Sequence, residues 1–214
     1  MIKTGDFYGA DFCYHEIPEK LDVFDEETYR ASPIEFYVTC TDVETGKAVY
    51  RKCDATTDEN LEWIRASASM PLVSRIVSVG DKKLLDGGIA DSIPLKYFKS
   101  IGYEKNIVIL TQPKGYVKKK NQLLPLMKVA LKKYPNAYQA VANRHNNYNE
   151  SLELVWKEAK AGNVLVICPE EALPIGRTER DPEKLRAVYN IGRNTAEKML
   201  GEIKNFANAR KDGR

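Results

Sequence analysis

Two short uninterrupted apolar runs, NIVILT (106–111) and NVLVIC (163–168), constrain the fold of this 214-residue chain most. Each is too short for a buried helix and suits a strand covered on both faces, as in a parallel sheet flanked by helices. Helical patterns are expected near 121–134, 136–147 and 150–161. A last long helix begins at Asp181 as cap with Pro182 in the first turn. It continues through a stripe of Leu185, Val188, Gly192, Ala196, Met199, Ile203 and Phe206.

The first half reads differently. Residues 1–30 are loop-rich, with Gly5, Gly9 and Pro18, and end on the acidic DEETYR (25–30), a short helix. IEFYVTC (34–40) and KAVYRKC (47–53) are rich in β-branched and aromatic residues and flank TDVETG, a hairpin turn. Thr57 or Asp58 caps a helix carrying Leu61, Ile64 and Ala68 at helical spacing, which Pro71 stops. SRIVSV and KKLL follow as a second hairpin around Gly80-Asp81. PLKYFKSI (94–101) is a short helix closed by Gly102. Mixed strands first, then alternating strand and helix, predict an α/β layered fold.

Charge narrows the partners. The chain has 33 basic and 30 acidic residues, a net of +3 that does not suggest a dedicated nucleic-acid binder. Residues 1–62 hold 15 acids against 6 bases, whereas residues 114–133 hold seven lysines and no acid. The lysine stretch reads either as a solvated helix face or as a membrane-surface contact with anionic headgroups. No apolar run reaches the length of a membrane span, and the N-terminus has no signal-peptide core. The four cysteines (13, 40, 53 and 168) lack the short C-x-x-C spacing of a zinc site, and only two histidines are present to assist them. No metal site is expected, and a reducing, cytoplasmic setting is.

The densest chemical signal is LLDGGIADSIPL (84–95), in which Asp86 directly follows a short apolar strand and precedes Gly87 and Gly88. A strand-end carboxylate can orient or deprotonate a nucleophile, and paired glycines let the backbone pass close to another group. Asp-Gly is also an ordinary turn dipeptide, so on local sequence both readings stand.

Upstream stands RASASMPLVSRIVSVGDKKLLDGG (65–88), and the whole stretch resembles the patatin-like phospholipases. In that family a helix ends in a small Ala/Ser run and a Pro, then come a hairpin and an Asp-Gly-Gly/Ala motif. Arg65 to Pro71 match the first part and Asp86-Gly87-Gly88 the last, while GDFYGADFCYHEIP and FYVTCTDVETG look like the bacterial branch. The resemblance implies a mixed, largely parallel sheet flanked by helices, and a serine acyl hydrolase working through a Ser–Asp dyad without a catalytic His. Asp86 would be the base, Gly87 and Gly88 its supporting motif, and an acyl ester or phospholipid the substrate. No metal or organic cofactor is implied.

The nucleophile half of the pattern is not in this sequence. The serines are 32, 67, 69, 74, 78, 92, 100 and 151, and none lies in G-x-S-x-G. The early glycine pair, Gly5-Asp6-Phe7-Tyr8-Gly9, has Phe at its centre. The expectation is therefore that residues 1–214 form the C-terminal portion of a patatin-like acyl hydrolase domain, lacking the first strand–helix units and inactive alone. Exposed strand edges would then favour a homo-oligomer. A non-catalytic lipid- or partner-binding member of the fold is the alternative. A nucleotide-binding reading finds neither G-x-G-x-x-G nor a P-loop pattern. His15 and His145 invite a triad but have no elbow. Trp63 and Trp156 read as core residues, and Asp91 as a second, weaker base candidate.

Overall fold

In the computed structural model, residues 9–176 and 178–209 are described, and they form two compact units. The first comprises residues up to 94 together with 119–149, and the second comprises 95–118 with the chain from 150 onward. In chain order the elements are a π-helix (Phe12–Leu21), α1 (Glu26–Ala31), β1 (Phe36–Asp42), β2 (Ala48–Cys53), α2 (Asp58–Ser67), β3 (Val77–Val79) and β4 (Lys82–Asp86). A 3-10 turn (Gly87–Ile89) leads to α3 (Leu95–Ser100), β5 (Asn106–Ile109), α4 (Leu124–Ala130) and α5 (Pro135–Lys160). β6 (Val164–Ile167), α6 (Pro182–Lys198) and α7 (Leu200–Asn208) are the last of the described elements.

The first unit is built on a four-stranded sheet in the order β2-β1-β4-β3, with every neighbour antiparallel. The TDVETG hairpin forms as its residues dictate. Asp42 Oδ1 accepts from Glu44 N at 2.9 Å and from Thr45 N at 3.0 Å. Gly46 then closes the turn at φ +68°, a conformation that costs glycine little. Thr57 is the cap of α2, its hydroxyl accepting from Asn60 N at 3.3 Å.

Alternation along the strands divides two cores. Val38, Cys40, Val77, Val79 and Leu84 pack on one face with Trp63 and Ala66 of α2. Leu85 and Ile89, with Val43 from the hairpin, pack on the other with Leu124, Met127, Leu131, Ala137 and Val141. A single-residue register slip would exchange the two sets, so the pairing of β1 with β4 is firmly specified.

In the second unit β5 and β6 pair in parallel, from Asn106↔Val164 to Ile109↔Ile167. Leu95, Leu110, Leu152, Val155, Val164 and Ile167 are its buried apolar residues. Asp181 Oδ1 caps α6 through Glu183 N at 2.9 Å, with Pro182 in the first turn. Lys105 Nζ donates to Ala209 O at 2.6 Å and lies 5.2 Å from the Phe206 ring centroid, tying α7 to the start of β5.

The α/β class holds, and several details differ from the sequence reading. Antiparallel ladders outnumber the one parallel ladder among the described strands, because the two hairpins supply most of the pairing. β5 is not covered on both faces: Ile107 and Ile109 are 41% and 74% exposed. The expected helices 136–147 and 150–161 are one 26-residue α5, since no Gly or Pro interrupts the chain between Pro135 and Gly162. The last helix breaks at Met199 into α6 and α7, next to Gly201, and none of its residues is fully buried. Residues 12–21 are a π-helix rather than loop, an i→i+5 winding that neither helical nor strand periodicity reveals.

Candidate functional site

Asp86 is the last residue of β4, paired with Cys40 of β1. Three contacts fix its backbone and side chain. Its N–H donates to Ser69 O at 2.9 Å, so the RASASMP loop is bonded directly to the Asp-Gly-Gly strand end. Its carbonyl accepts from Thr41 Oγ1 at 2.8 Å, and the same hydroxyl accepts from Ala90 N at 3.2 Å. Its carboxylate Oδ1 accepts from Gly88 N at 2.7 Å and caps the 3-10 turn. The RASASMP loop leaves through Leu72 at φ +74°, a left-handed conformation costly for leucine.

Space excludes a side chain at Gly87 and crowds one at Gly88. A Cβ on Gly87 would lie 2.1 Å from Thr39 O, inside the neighbouring strand's backbone. On Gly88 it would lie 3.0 Å from Asp86 Oδ1 and 3.3 Å from Arg144 Nη2. Gly88 O accepts two hydrogen bonds, from Arg144 Nε and from Ser92 Oγ, each at 2.6 Å.

Burial pushes the Asp86 carboxyl above its ordinary value, while the Gly88 N–H and the charge of Arg144 pull it partway back. The result is a half-buried carboxylate more basic than a free one, held in a fixed orientation, and able to accept a proton from a hydroxyl placed against it. Cys40 faces it across the strands but is a poor nucleophile. Burial, with the Asp86 charge adding to it, pushes the thiol up to about 12, and Sγ lies 3.4 Å from Trp63 O.

Neighbouring serine hydroxyls are committed elsewhere. Ser67 Oγ donates to Thr39 O, Ser69 Oγ to Arg65 O, both at 2.8 Å, and Ser92 Oγ to Gly88 O. Among the described residues no serine hydroxyl sits on the Asp86 carboxylate. Asp91 is a tie: its Oδ2 accepts from Tyr50 OH at 2.6 Å and Oδ1 from Ile93 N at 3.3 Å. His15 pairs with Glu19 at 3.2 Å on the π-helix, away from the Asp86 contacts. Trp63 is core, as expected, and Trp156 is half-buried under Lys114 Nζ, 5.4 Å from its ring centroid. Of the Gly5–Gly9 segment, residues 5–8 lie outside the described residues. Among the described residues no cluster of three His, Cys, Asp or Glu is placed to hold a metal.

An apolar cavity of about 540 Å³ opens between the π-helix, α1, the Phe36–Cys53 end of the β1–β2 hairpin and α2. Tyr14, Phe24, Tyr29, Phe36, Leu61 and Ile64 line it. Phe36 shares the α2-facing side of β1 with Cys40 and therefore with Asp86, about 13 Å farther along the strand.

Sequence reasoning missed Arg144 and Thr41. Arg144 carried one signal: it is the only charged side chain between Pro135 and Asn149 in α5. Thr41 carried none, since a threonine in a β-hairpin is unremarked until its partner is known.

Residues 4–99 match the family described as patatin-like phospholipase, and residues 134–208 match one described as a domain of unknown function (DUF6363). The patatin-like match covers 96 of the 214 residues, so the likeness is one of the chain's first segment. No curated protein matches the chain.

Proposed function

We propose that this chain carries the aspartate half of a Ser–Asp acyl-hydrolase site acting on acyl esters, phospholipids in particular. Asp86 is the general base. It takes the proton of a serine hydroxyl as the serine oxygen attacks the ester carbonyl, and returns it to the leaving alkoxide. The observation that carries the reading is the half-buried Asp86 carboxylate, fixed at a strand end by Gly88 N–H, with burial favouring its protonated form. The apolar cavity on the same side of the sheet supports a substrate with a hydrocarbon tail. No metal or organic cofactor takes part, and the protein works in the cytoplasm with peripheral contact to membranes. Homo-oligomerisation belongs to the same proposal.

The hydroxyls of Ser67, Ser69 and Ser92, each given to a backbone carbonyl, favour a second reading as a lipid-binding member without turnover. Fluorophosphonate labelling together with p-nitrophenyl ester turnover separates the two. The expected result is neither labelling nor turnover by the 214-residue chain alone, and both when it is co-expressed with a patatin-like segment carrying G-x-S-x-G. Labelling in that mixture that is indifferent to Asp86→Asn would remove the base role. No labelling with any such segment, alongside retained lipid binding, would leave the second reading.

A further inference from the structure

Seven-residue α4 has two apolar faces, and only one of them is used by the fold. Leu124, Met127 and Leu131 point inward and pack with Leu85, Ile89 and Val141. On the outside of an ordinary amphipathic helix polar residues would follow. Here Leu123, Leu126 and Val129 are 47%, 58% and 70% exposed, and their spacing of three sets them in one row. Lys119, Lys120, Lys128, Lys132 and Lys133 flank the row, all exposed. The sequence has no acidic residue from Lys105 through Asn149. Glu44, whose backbone carbonyl accepts from Asn136 at the start of α5, gives its carboxylate to Lys83 at 3.2 Å.

We propose that this outer face of α4 docks the protein on an anionic phospholipid surface. Leu123, Leu126 and Val129 enter the boundary between headgroups and acyl chains, and the lysines meet the phosphates. Each half of the pattern excludes a rival. A merely solvated lysine face has no use for three exposed aliphatic side chains in a row. A nucleic-acid backbone would use the lysines but not the leucines. A second copy, meeting the first through the same patch, would bring the two lysine sets together. A bilayer with negative headgroups answers both halves at once. This gives a location to the peripheral contact proposed above and does not depend on the chemistry of Asp86.

The test is co-sedimentation of the full chain with phosphatidylcholine vesicles, with and without phosphatidylserine, at low and high salt. No ester is turned over, so its failure leaves the hydrolase reading untouched. The expected result is binding to the phosphatidylserine vesicles at low salt, little to pure phosphatidylcholine, and loss at high salt. Lys132→Gln/Lys133→Gln and Leu126→Ser/Val129→Ser should each weaken binding by roughly tenfold or more. All four side chains are exposed, so the melting temperature should hold and confirm that the variants fold. Wild-type binding by both pairs, or equal binding to neutral vesicles, overturns the proposal. So does a dimer that the Leu126→Ser/Val129→Ser pair dissolves, which would assign the face to a second copy.

Discussion

Arg144 Nε donates to the carbonyl oxygen of Gly88 at 2.6 Å, a bond that joins the two family-matched segments of this chain. Gly88 belongs to the patatin-like segment and Arg144 to the segment of unknown function, yet both lie within the first compact unit. The same guanidinium lowers the proton affinity of Asp86, so a residue on α5 both braces the Asp-Gly-Gly turn and tunes its carboxylate.

Arg144→Met should therefore destabilise the first unit by about 1.5–3 kcal/mol, the worth of one hydrogen bond from a charged donor. Gly88 O keeps its bond from Ser92 Oγ, so it is not left unsatisfied and the cost stays moderate. With the guanidinium gone, the Asp86 carboxyl should titrate still higher. Denaturant unfolding and an NMR titration of Asp86 check the two effects separately. Arg144→Lys should rescue the titration better than the stability, because an ammonium keeps the charge without the planar fork.

Gly87→Ala and Gly88→Ala should behave differently although they are neighbours. The first drives a methyl into the Thr39 carbonyl at 2.1 Å, a backbone atom that cannot yield, and should cost about 3 kcal/mol. The second meets the Asp86 carboxylate and the Arg144 guanidinium, which can move, so stability should fall less while the titration of Asp86 shifts. Equal losses in thermal unfolding would mean that strand spacing does not set the requirement at Gly87.

What the sequence made legible follows from how locally each feature is encoded. Both hairpins, the Thr57 cap, the Asp181–Pro182 start of α6 and the β5 and β6 strands each carry their signal within a few residues, and all of them form. The antiparallel majority follows from the two hairpins, yet the pairing of β1 with β4 joins Cys40 to Asp86, 46 residues apart in sequence, and no local signal declares it. The site divides in the same way. Asp86, Gly87 and Gly88 stand in a motif, whereas Thr41 and Arg144 reach it only through the fold.

The cysteines should separate by reactivity. Cys40 is buried, and its thiol is pushed up to about 12, so at neutral pH almost no thiolate exists and none is accessible. Cys13 is exposed on the π-helix. Iodoacetamide on the native protein, followed by peptide mass spectrometry, should modify Cys13 and spare Cys40 until denaturant is added. Early modification of Cys40 would mean that the β1–β4 pairing opens readily, and would reopen that thiol as a candidate nucleophile.

Asp86→Asn tests whether the Asp86 side chain is kept for chemistry at a cost to stability. Asn Oδ1 can still accept from Gly88 N–H, so the cap of the 3-10 turn survives the change. What disappears is the charge. Burial raises the Asp86 carboxyl in the folded state, so the fold favours its protonated form. That preference stabilises the protein fully below the unfolded carboxylate value of about 3.9 and is lost as pH rises through the higher folded value. At neutral pH the wild-type protein therefore holds a partly desolvated charge that the Asn variant lacks. The two proteins should melt together near the acid end, and the variant should melt higher at neutral pH. In a complex that turns over esters, the same substitution should cut the rate by at least about a hundredfold, since Asn cannot accept the serine proton. Thermal unfolding across the pH range reads the first effect and ester hydrolysis the second. A variant less stable than wild type at neutral pH would make Asp86 a structural residue of the turn.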